Sequence, residues 1–231
     1  MLTDLQLLLD GANSLSISLS DDMVALFSQY FDMVVDSNKL FNLTAITDEK
    51  DFIVKHFVDS LCAEKFIPQN SSLCDIGAGA GFPSVPLAIV RQDLQVTALD
   101  STAKKMTFVS DASSKLHISN LQTLVGRAEE QIELFETFDV VTARAVSSLP
   151  ILLELCLPLV KVGGIFIAYK TDLSELDTSK SALTALHCAL FDKLQFTLPN
   201  GDNRAILVFK KLKSTPEPYP RSFGAIKKKP L

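Results

Sequence analysis

The residues best suited to chemistry lie where an acid meets three glycines at alternate positions, in Leu73-Cys-Asp75-Ile-Gly77-Ala-Gly79-Ala-Gly81-Phe82. An apolar run ends in Asp75, a glycine turn follows, and residues 83–90 read as a helix. A strand, a glycine turn and a helix bring main chain close to a bound nucleoside, because Gly tolerates φ > 0 and has no Cβ in the ligand's way. Asp100 stands 23 residues after Gly77, at the end of the next apolar run. A carboxylate there is placed to accept both ribose hydroxyls. It also suits a cap for a helix from Ala103, a role that Ser101 or Thr102 could share. Gly126-Arg127-Ala128-Glu129-Glu130 follows the third run and offers backbone and polar groups to an adenine edge. Alone that signal is weak, since Glu in a first helical turn is ordinary. The fourth run, from Phe138, ends in Ala143-Arg144-Ala145.

The glycine spacing narrows the cofactor. A dinucleotide fold usually reads G-x-G-x-x-G, with the third Gly inside the helix. Here the third Gly arrives one residue early, Phe82 takes the expected place and Pro83 suits a first helical turn. Phe82 is expected to obstruct a pyrophosphate, which points to a cofactor without phosphates, S-adenosylmethionine. A nicotinamide-dependent oxidoreductase is the rival, disfavoured by Phe82 and by the lack of a hydride-transfer residue set. The end of the fourth run bears on the acceptor. It lacks the Asn/Asp-Pro-Pro-aromatic motif that holds exocyclic amines. No Cys stands near enough to attack a pyrimidine carbon, Cys156 being twelve residues on. Arg144 remains, and Arg binds phosphate, base edges or carboxylates well. A target with a free lone pair, such as guanine N7, needs no general base, and alignment can supply most of the catalysis.

The elements that must position these residues follow from periodicity. Residues 1–67 read as a helical extension. Leu5, Leu8 and Leu9 mark one short element. Ser20 caps a second, with Val24, Phe27, Phe31 and Val34 on one face, and Thr47 a third, with Phe52, Phe57, Leu61 and Phe66. From residue 68 to 213 strands (72–76, 95–99, 121–125, 139–142, 164–169) alternate with helices (83–90, 103–116, 128–135, 149–157), which predicts a parallel sheet covered on both faces. Two strands, 193–198 and 205–210, flank Pro199-Asn-Gly-Asp-Asn as a final hairpin. The fold class is α/β, a Rossmann-like class I methyltransferase fold with a mostly parallel seven-stranded sheet and one antiparallel strand at the end.

At 231 residues and 47% apolar, the chain suits one domain with a substantial core. Four dispersed cysteines in apolar context and no CxxC pair argue for buried thiols, and against zinc or disulfides. No metal is expected. No run is long and apolar enough to span a membrane, and the start lacks signal-peptide character, so a cytoplasmic monomer is expected. The net charge of −5 is uneven. From Arg204 onward eight basic residues face one acid, Glu217, so that segment carries +7 and the rest −12. The tail, residues 214–231, either contacts phosphate or is a solvated aid to solubility.

Several of these segments, in order, resemble the bacterial 16S rRNA guanine-N7 methyltransferases of the RsmG/GidB type. They are Asn42-Leu-Thr, Lys55-His56-Phe-Val-Asp59-Ser60-Leu61, Asp75 to Pro83, Leu99-Asp100-Ser101, Arg127-Ala128-Glu129-Glu130 and Ala143-Arg144-Ala145. The resemblance spans roughly residues 41–170 plus the tail. It implies cofactor contacts at Gly77, Gly79, Phe82, Asp100, Ser101, Thr102, Ala128, Glu129 and Arg144, with Arg144 also the catalytic candidate. It implies a guanine of 16S rRNA, naked or in the 30S particle, as acceptor. Departures are Lys55 for a common Arg, Ser84 and Thr171 for common Gly, and Ala225-Ile226 for a usual Thr-Pro. His56 and Asp59, three apart on a helix, either support the base or the cofactor's methionine end, or bond each other to hold the N-terminal helices. Lys104, Lys105 and Lys170 are placed for phosphate or RNA, or are solvated. A non-catalytic RNA-binding or regulatory protein on the same fold is the other alternative.

Overall fold

The computed structural model describes residues 1–231. Seven strands, β1 (Ser72–Ile76), β2 (Gln95–Asp100), β3 (Leu121–Val125), β4 (Phe138–Arg144), β5 (Val160–Lys170), β6 (Cys188–Thr197) and β7 (Asn203–Lys211), form one sheet in the order β3-β2-β1-β4-β5-β7-β6. The first five pair in parallel, while β7 runs antiparallel to both β5 and β6. Successive residues feed opposite faces, as the two-residue period of a strand requires. Val140, Ile167 and Val208 enter one core and Val141, Phe166 and Leu207 the other.

The first core is closed by the N-terminal helices α1 (Leu5–Ser14) and α2 (Asp21–Asn38) and by α5 (Ser84–Val90) and α6 (Ala103–Lys115). The N-terminal segment therefore shares its core with the sheet. Ser20 caps α2 as expected, whereas the next cap is Asp48 rather than Thr47. That third helix is α3 (Glu49–Phe52), a π-type turn (Ile53–Val58) and α4 (Asp59–Leu61). Phe52 and Phe57 are both fully buried, and their five-residue interval is the period of a π turn. Within this turn the Lys55 carbonyl accepts from Arg144 Nη1 at 2.9 Å.

The second core lies under α7 (Leu149–Cys156), α8 (Lys180–Ala185) and α9 (Phe223–Lys228). Three expectations need correction. Residues 128–135 form two 3-10 turns, because no apolar face recurs and Ile132 stays 72% exposed. The strand expected at 193–198 starts at Cys188, beyond a bulge between Leu190 and Asp192 that interrupts its alternation. The C-terminal segment is not wholly solvated: Ile226 is fully buried and Arg221 is bonded to the buried Glu154.

Asp75 is fully buried at the heart of the sheet. It accepts from the Ser84 hydroxyl and N–H at the head of α5, and from Thr142 of β4. Ser84 thus supplies two donors to the carboxylate. Burial pushes the Asp75 carboxyl up from 3.8 to about 6, against the lowering effect of those donors and of Arg144. Between these values the folded state binds the proton more tightly, so the folded protein loses stability as pH rises through the window. Relative to Asp75→Asn, the wild type should lose about 2 kcal/mol between about pH 4 and about pH 6. Urea unfolding of both proteins at the two pH values checks this, and a pH-independent difference would remove the assigned shift.

Candidate cofactor and substrate site

Two cavities adjoin at the carboxyl ends of the parallel strands, where open α/β sheets place ligands. The first, about 370 Å³, is lined by Gly77 and Gly79, by Asp100 and Ser101 after β2, by Gly126 to Glu129 after β3, and by Ala145. The second, about 420 Å³, is lined by His56, Asp59, Arg144, Ala145, Tyr169, Lys170 and Arg204, among others. Ala145 belongs to both.

The glycine turn is fixed from two directions. The Gly79 N–H donates to Asp100 Oδ2 at 3.0 Å, and the Thr102 N–H to Asp100 Oδ1 at 2.8 Å. Each oxygen keeps lone-pair capacity for a hydroxyl. From the other side the Tyr30 hydroxyl of α2 donates to the Ala80 carbonyl at 2.7 Å. A Cβ on Gly81 would stand 2.6 Å from that hydroxyl, so glycine permits the helix to press on the loop. At Gly79, with φ +58°, a Cβ would meet only the Gly77 carbonyl at 3.8 Å. Glycine leaves that side of the loop open to a ligand. Volume, hydroxyl acceptors and an open glycine backbone fit a nucleoside cofactor.

The second cavity is organised by Asp59, 5% exposed. Its Oδ2 accepts from Arg144 Nη1 and its Oδ1 from Arg204 Nε, each at 3.1 Å. Arg144 Nη1 also donates to the Lys55 carbonyl at 2.9 Å, and Nη2 lies 3.4 Å from His56 Nδ1. A guanidinium only donates, so Nδ1 accepts, and the Nε2 proton goes to Thr44 Oγ1 at 2.7 Å. Desolvation, then the Arg144 charge, lower the His56 pKa to about 3, which keeps the ring neutral. His56 stacks on Phe82, with centroids 4.4 Å apart and planes 4° from parallel.

The sequence-predicted residues therefore divide. Gly77, Gly79, Asp100, Ser101, Ala128 and Glu129 line the first cavity; Thr102 stands outside it, its N–H on Asp100. Phe82 is 6% exposed and faces Tyr30, Phe52 and His56, so it does not block the cofactor cavity and the steric case against pyrophosphate falls. Arg144 lines the second cavity, beyond the cofactor residues. His56 and Asp59 do not bond each other; both bond Arg144. Lys105 lines the first cavity, whereas Lys170 is committed to Glu175 and the Ser147 carbonyl. Sequence reasoning missed Phe223 in the first cavity and Arg204 in the second; Phe223 lies in the tail that joined the resemblance but was given no role, and Arg204 stands at the start of the strand after the Asn-Gly turn.

Residues 23–198 match the family model described as rRNA small subunit methyltransferase G, GidB. The chain belongs to the GidB family. The ribosomal RNA small subunit methyltransferase G of Acetivibrio thermocellus is 42% identical over 232 residues, covering 98% of this chain and 96% of its own. That of Bacillus subtilis is 42% identical over 229 residues, covering 96% of each. The solved m1A22 tRNA methyltransferase TrmK of Bacillus subtilis shares the fold alone, with a TM-score of 0.52 at 15% identity over 65% of this chain and 64% of its own. The departure at Lys55 leaves the GidB site intact, because its carbonyl holds Arg144 while its ammonium pairs with Asp51 at 3.0 Å.

Replacing Asp59 with Ala leaves two guanidiniums without their shared counter-charge. The expected cost is about 3 kcal/mol. Tyr30→Phe loses one hydrogen bond and should cost only about 1 kcal/mol. Chemical unfolding of both variants measures the contrast, and equal small losses would deny Asp59 its central place.

Proposed function

We propose that this chain methylates N7 of a guanine in 16S rRNA with S-adenosylmethionine, as a cytoplasmic monomer. The observation that carries this reading is the meeting of the two cavities at Ala145, one suited to a nucleoside and the other without a free base or nucleophile. Asp100 would accept the ribose hydroxyls, and Ala128 and Glu129 would face the adenine. When bound, S-adenosylmethionine supplies an electrophilic methyl that the N7 lone pair takes as the S–CH₃ bonding pair stays with sulfur.

The residues of the second cavity then have a positioning task. Arg144, rigid through Asp59 and the Lys55 carbonyl, presents donors to an acceptor edge or a phosphate. His56 is held neutral with both ring nitrogens engaged, so it is not a free general base. Burial raises all four thiols, Cys62, Cys74, Cys156 and Cys188, which leaves no thiolate nucleophile. An acceptor carrying its own lone pair requires neither, and proximity supplies the rate. The non-catalytic alternative has less support, because a structural role alone gives no reason for the open Gly79 beside Asp100. Lys227, Lys228 and Lys229 are exposed without ion pairs and suit RNA phosphate.

Calorimetric titration should show S-adenosylmethionine binding by the wild type, weakened about 100-fold in Asp100→Ala, where two hydrogen bonds to a charged group are lost. No binding by the wild type would end the cofactor assignment. Mapping of 16S rRNA from cells lacking the gene should show one N7-methylguanine missing; an unchanged pattern would end the substrate assignment. Replacing Lys227, Lys228 and Lys229 with Gln should reduce the slope of log affinity for RNA against log salt by about 2. An unchanged slope would assign these lysines to solubility.

A further inference from the structure

The C-terminal segment reaches the cofactor cavity. Arg221 binds Glu154 of α7 three times, through its backbone N–H at 3.0 Å, Nε at 2.8 Å and Nη2 at 2.6 Å. Glu154 is fully buried, so this is an anchor and not a surface pair. Ile226 is fully buried against the same core. Two residues beyond the anchor, Phe223 forms part of the cavity wall near Gly126, Ala128 and Glu129. The Arg127 guanidinium lies over the Phe223 ring, 4.7 Å from its centroid, and ties the segment to the turn after β3. The cavity is therefore incomplete without a residue nearly a hundred positions after that turn.

We infer that Phe223 is a cofactor-binding residue that packs against the adenine, and that the Arg221–Glu154 pair latches the C-terminal segment as a wall of the cofactor site. The inference rests on the S-adenosylmethionine reading and adds a residue to it. Aromatic contact is the natural complement of a purine, whose flat apolar faces gain little from hydrogen bonds. The position matches, since Phe223 lines the cavity with the turn after β3, whose Arg127 lies over its ring, and with the ribose acceptor Asp100. Arg221 acts at one remove: it touches Glu154 and Tyr219 rather than the cavity, and its part is to position Phe223.

Four variants of the full chain test this. Phe223→Ala should weaken S-adenosylmethionine and S-adenosylhomocysteine about tenfold in calorimetry, the scale of a lost base–aromatic contact. Phe223→Tyr should restore most of that loss, and Arg221→Ala should reproduce it without altering any cavity residue. The chain contains no Trp, so Phe223→Trp creates a single reporter. Its emission should change saturably with the dissociation constant found by calorimetry, which reads the contact even if the alanine variant folds poorly. A wild type that binds and a Phe223→Ala that binds equally well would overturn the wall, as would unchanged Trp emission at saturating cofactor. A wild type that does not bind would overturn the cofactor reading as well, so the two failures are distinguishable.

Discussion

A single carboxylate shared by two guanidiniums organises this molecule. Asp59 comes from the helical segment before the first strand, Arg144 from the end of β4 and Arg204 from the start of β7. A buried carboxylate and two partly buried guanidiniums in so little space are costly to desolvate, and only well-formed mutual contacts offset that cost. The arrangement therefore acts as a register device, because the helical segment has one rotation and one height at which Asp59 meets both arginines. The π-type turn carries the Lys55 carbonyl, a further acceptor for Arg144.

From this constraint follows the division of the cleft. With Arg144 drawn toward Asp59, the fourth strand's end contributes Ala145 to both cavities and its guanidinium to only one. The glycine turn is held by Asp100 on the ligand side and by Tyr30 on the core side. The N-terminal helices thus shape the cofactor loop and the substrate cavity alike, although no residue of α1 or α2 lines either. The same contacts keep His56 neutral between Arg144, Thr44 and Phe82, which fits a site that aligns an acceptor and withdraws no proton.

Burial also gives Ser84 and Ile226 their roles. Ser84 gives the buried Asp75 a hydroxyl donor, and Ile226 fills core space under α7. Lys55 contributes chiefly its backbone, so a change of side chain there costs little.

Much of this was legible in the residues alone. Strand and helix alternation, the glycine turn, Asp100 and the Ala128–Glu129 turn are local patterns. Local patterns survive because a strand's burial and a turn's φ values are set within a few residues. The side to which Phe82 points was not legible, because it depends on which helix covers the loop. Nor was the partner of His56, since a three-residue spacing shows a shared face but not the arginine that enters between. The five-residue step from Phe52 to Phe57 carried the π turn, yet only packing decides whether such a step is a change of face or a change of pitch. Nothing local assigns Arg204 or Phe223 a role, and their place in the site depends on long-range closure of the chain. The sequence by itself determined the fold class and most of the cofactor half of the cleft, though not Phe223. The tertiary structure decided the substrate half and its electrostatics, because these rest on a buried carboxylate and two partly buried guanidiniums from three distant segments whose meeting no local pattern encodes.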